Sequence, residues 1–232
     1  MFDLIAFDAD DTLWHNETLF TLTQSGFRDL LAPNLLRPWT GAELYATELR
    51  NLQHFGYGIK GFTLSMIETA IELTGGAVPA AVIRQIIDLG KAMLVAPVEL
   101  LEHVAEVIPA LAAVAPLLLI TKGDLFDQEM KIARSGLADH FRDIEIVSDK
   151  TQQSYSALLA KYGVLPERFL MVGNSLRSDI VPVIALGGRA VYIPYQITWA
   201  HEEVAREALP DSMVELDHIG QLTGWLAAQA AS

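Results

Sequence analysis

The stretch Leu4-Ile5-Ala6-Phe7-Asp8-Ala9-Asp10-Asp11-Thr12 runs from an unbroken apolar tetrapeptide straight into a cluster of carboxylates. Four apolar residues without alternation fit a central parallel strand covered on both faces. Asp8 and Asp10 then fall at the carboxyl end of that strand, where open α/β sheets place their ligands. Two carboxylates two residues apart repel each other unless positive charge lies between them. A divalent cation, a lysine or the ligand shell of a bound phosphate would supply it. Aspartate also closes strands as a turn former, so Asp8, Asp10 and Asp11 taken alone are equally compatible with a structural turn.

Beyond Thr12 the strand signals stop until about Pro97. Asn16 is placed as a helix cap with Glu17 in the first turn, and Leu19, Phe20, Thr23, Phe27 and Leu30 share one helical face up to Pro33. Thr40-Gly41-Ala42-Glu43 reads as a capping box for a second helix striped by Tyr45, Leu49, Leu52 and Phe55. Phe62, Met66, Ala70 and Leu73 mark a third helix, stopped by Gly75-Gly76, and Pro79 opens a fourth through Val82, Ile86 and Leu89. Successive amphipathic helices between one strand and the next predict a small helical bundle over residues 15–96.

The remaining segments, residues 1–14 and 97–232, read as a doubly wound α/β domain. Strands are expected at 117–120, 144–147, 169–172, 190–193 and 213–216, with helices between them, which implies a parallel sheet. A helix over 105–113 is expected to kink or restart at Pro109, and the alanine-rich tail Ala227 to Ser232 is expected to fray. At the carboxyl ends of three later strands stand Thr121-Lys122, Lys150 and a glycine-led run, Gly173-Asn174-Ser175-Leu176-Arg177-Ser178-Asp179.

These segments, in this order, resemble the four motifs of the haloacid dehalogenase-like hydrolase superfamily, the opening Asp8-Ala9-Asp10-Asp11-Thr12 fitting its Asp-x-Asp-x-Thr. The resemblance spans nearly the whole chain and implies a Rossmann-like core with a helical cap inserted after the first motif. For phosphoryl transfer the residues offer a candidate for each role. Asp8 would attack phosphorus and form an aspartyl-phosphate. Asp10 would protonate the leaving oxygen and later deprotonate water. Thr121, with Lys122, would bind phosphate, and Lys150 would hold Asp8 and the transferring group together. Magnesium is the implied cofactor, on Asp8, the Asp10 carbonyl, Asn174 and Asp179. The family commonly has an acid where this chain has Asn174. An amide oxygen still suits magnesium, but one negative charge is lost, so weaker affinity is expected. Either Asp179 takes over as direct ligand or the metal site is degraded.

The implied activity is hydrolysis of a small phosphorylated metabolite. A dehalogenase in which Asp8 displaces halide without a metal, a phosphomutase, and a binding protein that keeps the fold without turnover are the alternatives. Asn174 suits the dehalogenase, while Asp10 speaks against it, because carbon–halogen cleavage leaves no alkoxide to protonate. Composition narrows the partners. With 232 residues, 51% hydrophobic, the chain can bury a substantial core. Its formal charge of −13 argues against nucleic acid and anionic membrane surfaces. There is no cysteine, which removes disulfides and thiolate metal sites. No apolar run approaches a membrane span, Leu111 to Ile120 being divided by Pro116, and no signal-peptide core is seen. A cytoplasmic protein, monomer or homodimer, is expected.

Overall fold

The structure, a computed structural model, describes residues 2–35, 39–204 and 213–230. It divides into two compact units: one of residues 1–17, 98–122 and 130–232, the other of residues 18–97 and 123–129. The loop after the second strand therefore groups with the helices rather than with the sheet.

The first unit is built on a parallel six-stranded sheet: β1 (Leu4–Phe7), β2 (Leu117–Lys122), β3 (Asp143–Val147), β4 (Phe169–Gly173), β5 (Arg189–Tyr192) and β6 (Val214–Glu215), in the order β3-β2-β1-β4-β5-β6. β1 is central and buried along its whole length. Its residues feed two apolar layers by the two-residue period of a strand. Ile5 and Phe7 join Leu119, Leu170, Val172 and Ile108 in one cluster. Leu4 and Ala6 join Leu118, Ile120, Met171 and Leu159 in the other. This is the two-faced burial expected of a doubly wound sheet.

Helix α5 (Val104–Ala112) stays one helix through Pro109. A proline there costs one backbone hydrogen bond, while Val107, Ile108 and Leu111 are buried on either side of it. The carboxyl-terminal helix (Leu222–Ala230) carries Ala227 to Ala230, which were expected to fray. Leu222 is fully buried, Trp225 and Leu226 pack against the core, and Trp225 stacks on Phe2 at 6.4 Å between ring centroids. Ala231 and Ser232 lie outside the described residues.

In the helical unit, α1 (Glu17–Leu31), α2 (Ala42–Phe55), α3 (Ile59–Leu73) and α4 (Ala80–Val95) bury Phe27, Leu31, Leu44, Phe62, Met66, Leu73, Ile86 and Met93 in one cluster. Two expected caps differ. The amides of Asn16 and Glu17 donate to the Asp11 carboxylate at 2.8–3.0 Å, so the acid of the first loop caps α1 in place of Asn16. Asn16 instead accepts from Lys131 at 3.2 Å. At α2 the cap residue is Gly41, and Thr40 donates to the Glu43 carboxylate from its amide and its hydroxyl. The box is half made because Thr40 stands one residue too early to reach the third amide. Among the described residues no helix is long and apolar enough to cross a membrane.

Candidate active site

The sheet register brings the carboxyl-terminal ends of four strands to one edge. Phe7 pairs with Leu119 and Val172, and Lys122 with Val147. The chain therefore leaves β1 at Asp8, β2 at Thr121 and Lys122, β3 toward Lys150 and β4 at Asn174.

Asp8, Lys150 and Asp179 meet there. The Lys150 ammonium donates to Asp8 Oδ1 at 2.5 Å and to Asp179 Oδ1 at 2.8 Å. Lys150 is only 4% exposed and Asp179 fully buried. Burial pushes the Asp8 carboxyl up to about 7, opposed by Lys150 and reinforced by Asp179. Burial would lower Lys150, but Asp179 and Asp8 hold it above the ordinary lysine range. One ammonium between two buried carboxylates leaves a negative charge uncompensated, and such charges are held in proteins only with a partner.

Gly173 explains how Asp179 comes so close. A Cβ at that position would stand 2.3 Å from Asp179 Oδ2. Asp179 Oδ2 also accepts from the Ser175 amide at 3.0 Å. The turn that returns Asp179 to the edge is π-helical (Leu176–Ile180) and runs into α8 (Val181–Ala185).

A second group of atoms lies on the other side of Asp8. Thr12 Oγ1 donates to Asp8 Oδ2 at 3.0 Å and accepts from the Asn174 amide nitrogen of the backbone at 3.1 Å. One terminal atom of the Asn174 side chain sits 3.1 Å from Thr12 Oγ1 and 3.2 Å from both Asp8 Oδ2 and the Asp10 carbonyl. With nitrogen in that position the amide donates to the oxygens around it. With oxygen there, the Asn174 side chain accepts from Thr12 Oγ1 at 3.1 Å and faces the Asp8 and Asp10 oxygens, acceptors that a cation would reconcile. The oxygen set and the uncompensated charge at Asp8 fit magnesium, with the Asn174 side chain 3.2 Å from the Asp10 carbonyl. Among the described residues no group of three or more His, Cys, Asp or Glu side chains is arranged to hold a metal, so such a site would lean on carbonyl and amide oxygens.

The other sequence-derived candidates are placed differently. The Asp10 carboxylate accepts from Lys131 Nζ at 2.7 and 2.8 Å and from the Trp14 indole at 2.7 Å. Only its backbone carbonyl joins the group around Asn174. Lys122, expected at the phosphate, donates to Ser178 Oγ at 2.9 Å and to the Glu202 carboxylate. Thr121 is fully buried at the end of β2. Asp11, buried and with φ of 60°, turns away to cap α1, and burial pushes its carboxyl up to about 7 although the Glu17 and Asn16 amides draw it down. The sequence reasoning did not single out Lys131, Glu202 or Tyr155. Tyr155, on α7 (Gln152–Tyr162), buries a hydroxyl that finds no partner at hydrogen-bonding geometry among the described residues. Burial, together with the nearby Asp179 and Asp8 charges, raises its phenol. Its place five residues after Lys150 was the available signal.

The family model for haloacid dehalogenase-like hydrolases matches residues 2–187. The chain belongs to the haloacid dehalogenase-like hydrolases. Among solved structures, this hydrolase is similar to a haloacid dehalogenase-like family hydrolase from Xanthomonas campestris, at 43% identity and a TM-score of 0.88 over 99% of this chain and 92% of that one. It shares its fold with a 2-haloacid dehalogenase from Pseudomonas syringae pv. Tomato DC3000, at 23% identity and a TM-score of 0.66, covering 99% and 100% of the two chains. It also shares the fold of a predicted phosphoglycolate phosphatase from Haemophilus somnus 129PT, at 19% identity and a TM-score of 0.63, covering 97% and 98%. No curated protein matches this hydrolase.

Proposed function

We propose that this hydrolase cleaves the phosphate monoester of a small metabolite through an aspartyl-phosphate on Asp8, with magnesium as cofactor. The observation that carries the reading is Lys150 shared between buried Asp8 and Asp179, with a second acid, Asp10, two residues from the nucleophile. An Asp8 oxygen bonds to phosphorus as the bond to the leaving alkoxide breaks, and Asp10 gives that alkoxide a proton. Asp10 then takes a proton from water, whose oxygen bonds to phosphorus and releases orthophosphate and the Asp8 carboxylate. Lys150 keeps Asp8 directed at the incoming phosphorus, and Thr12 holds its second oxygen. Lys131 and the Trp14 indole fix the orientation of Asp10. Asp8, the Asp10 carbonyl and Asn174 would hold magnesium, with Asp179 close by. Bound there, the ion supplies positive charge against the phosphoryl oxygens. The helical unit inserted after β1 is proposed to select the substrate.

The orientation of Asn174 favours a second reading. If its nitrogen faces Asp8 Oδ2 and the Asp10 carbonyl, the amide takes the place of a cation and Asp8 can attack carbon bearing a halide without metal. The likeness to a 2-haloacid dehalogenase is compatible with this. Assays with 4-nitrophenyl phosphate and with 2-haloacids, each with magnesium or with chelator, separate the two. Magnesium-dependent phosphate release that is lost in Asp8→Asn supports the phosphatase; halide release in chelator, with no phosphate release, replaces it with the dehalogenase.

A further inference from the structure

We infer that Glu202 is a positioning residue: its carboxylate ties the end of β2 to the turn after β4 and thereby holds Asp179 against Lys150. Glu202 ends a short 3-10 turn (Ala200–Glu202) beyond β5. Its carboxylate accepts from Lys122 Nζ at the end of β2, from Ser175 Oγ, and from Ser178 Oγ at 2.6 Å. Ser175 caps the π-helical turn and Ser178 lies within it, and both are buried. Turns of this kind are uncommon and give up part of the regular backbone ladder, so side chains must supply the missing order.

The bonds run in series from Glu202 to the nucleophile. Ser175 Oγ, while donating to Glu202, accepts from the Ser178 amide at 2.9 Å, and the Ser175 amide donates to Asp179 Oδ2 at 3.0 Å. Asp179 Oδ1 then accepts from Lys150, which also donates to Asp8. Arg177 fastens the same segment from the turn's outer side by donating to the His201 carbonyl at 2.7 Å. Burial would raise the Glu202 carboxyl, yet Lys122 and the two serine hydroxyls hold it down to about 2. It therefore stays an anion wherever the enzyme would be assayed. Without it, two buried hydroxyls lose their acceptor, and the loop that aims Asp179 loses the anchor on β2.

The consequence for turnover rests on the phosphatase reading; the consequence for the turn does not. Backbone hydrogen exchange read by mass spectrometry is compared in the wild type, Glu202→Ala and Glu202→Gln. In Glu202→Ala the peptide over 174–180 is expected to exchange roughly tenfold faster, with the strand peptides over 117–121 and 169–172 unchanged. Glu202→Gln, which keeps an acceptor oxygen, should lie between. On 4-nitrophenyl phosphate with magnesium, kcat of Glu202→Ala should fall about 10- to 100-fold with KM within about twofold. Unchanged exchange over 174–180, acceleration spread equally over the strands, or faster exchange with unaltered kcat would each overturn the inference. Wild-type enzyme inactive on phosphate esters, with the exchange pattern as expected, would remove the phosphatase reading and leave Glu202 as the anchor of the turn.

Discussion

Asp8 and Asp179 accept from the same Lys150 ammonium at 2.5 and 2.8 Å, and each of the three is placed by a different strand end. Motif residues whose work depends on a strand end were legible in the sequence. Asp8 and Asp179 follow the buried apolar strands β1 and β4, Lys150 follows the half-buried β3, and their charges complement one another. Partners recruited from helices and late loops were not legible. Lys131, on the helix after β2 (Leu125–Ser135), and Glu202, beyond β5, carry no local pattern that separates them from solvated charges. Lys131 grips both oxygens of Asp10, so its removal should blur the orientation of the proposed acid. For Lys131→Met we expect kcat on an alkyl phosphate to fall about 10- to 100-fold, and on 4-nitrophenyl phosphate by less than about threefold. An alkoxide needs a proton to leave and a nitrophenolate does not. Equal losses on both substrates would show that Lys131 does not act through Asp10.

Among the elements, the sheet is the most legible from sequence. Runs such as Leu117–Ile120 and Phe169–Val172 are short and apolar on both faces, as a covered parallel strand requires. Periodicity also locates the helices of the second unit. It does not locate their caps, because Asp11 reaches the start of α1 from a loop with positive φ, a matter of tertiary path rather than of spacing. No periodicity announces the π-helical turn either: its shape follows from Asp179, Ser175 and Glu202, which meet only in the fold. In α2, burial alone pushes the Glu48 carboxyl up to about 7. A carboxyl raised on folding stabilises most below its unfolded value, and that contribution is lost as pH rises through about 7. Glu48→Gln removes the titration. Its stability relative to the wild type should increase between about pH 5 and pH 8, by on the order of 2 kcal/mol. Thermal melts at both pH values measure this, and a difference that does not change with pH would place the carboxyl in solvent.

For the molecule as a whole, a formal charge of −13 sets an unfavourable background for an anionic substrate. The site must oppose it locally, and Lys150 alone does not. Magnesium is therefore expected to stabilise the folded enzyme. An ion at about 100 times its Kd adds about 2.7 kcal/mol, worth roughly 5–10 °C in Tm at this chain length. Asp8→Asn should melt higher than the wild type in chelator, because it removes the uncompensated charge, and should gain nothing from magnesium. An equal gain in both proteins would move the ion away from Asp8. The family, the doubly wound sheet and the separate helical unit were legible at this scale because each rests on patterns repeated along the chain. The reaction class is finer, and it turns on one amide, Asn174, whose two orientations serve opposite chemistries.

The measurement that bears most directly on Asp8 is chemical trapping during turnover. Enzyme consuming 4-nitrophenyl phosphate is quenched in acid and reduced with borohydride, and the peptide that contains position 8 is weighed. A phosphorylated Asp8 is reduced to homoserine, and that conversion is the expected result, absent from enzyme quenched without substrate. Phosphate released steadily while Asp8 is recovered as unmodified aspartate would contradict the account.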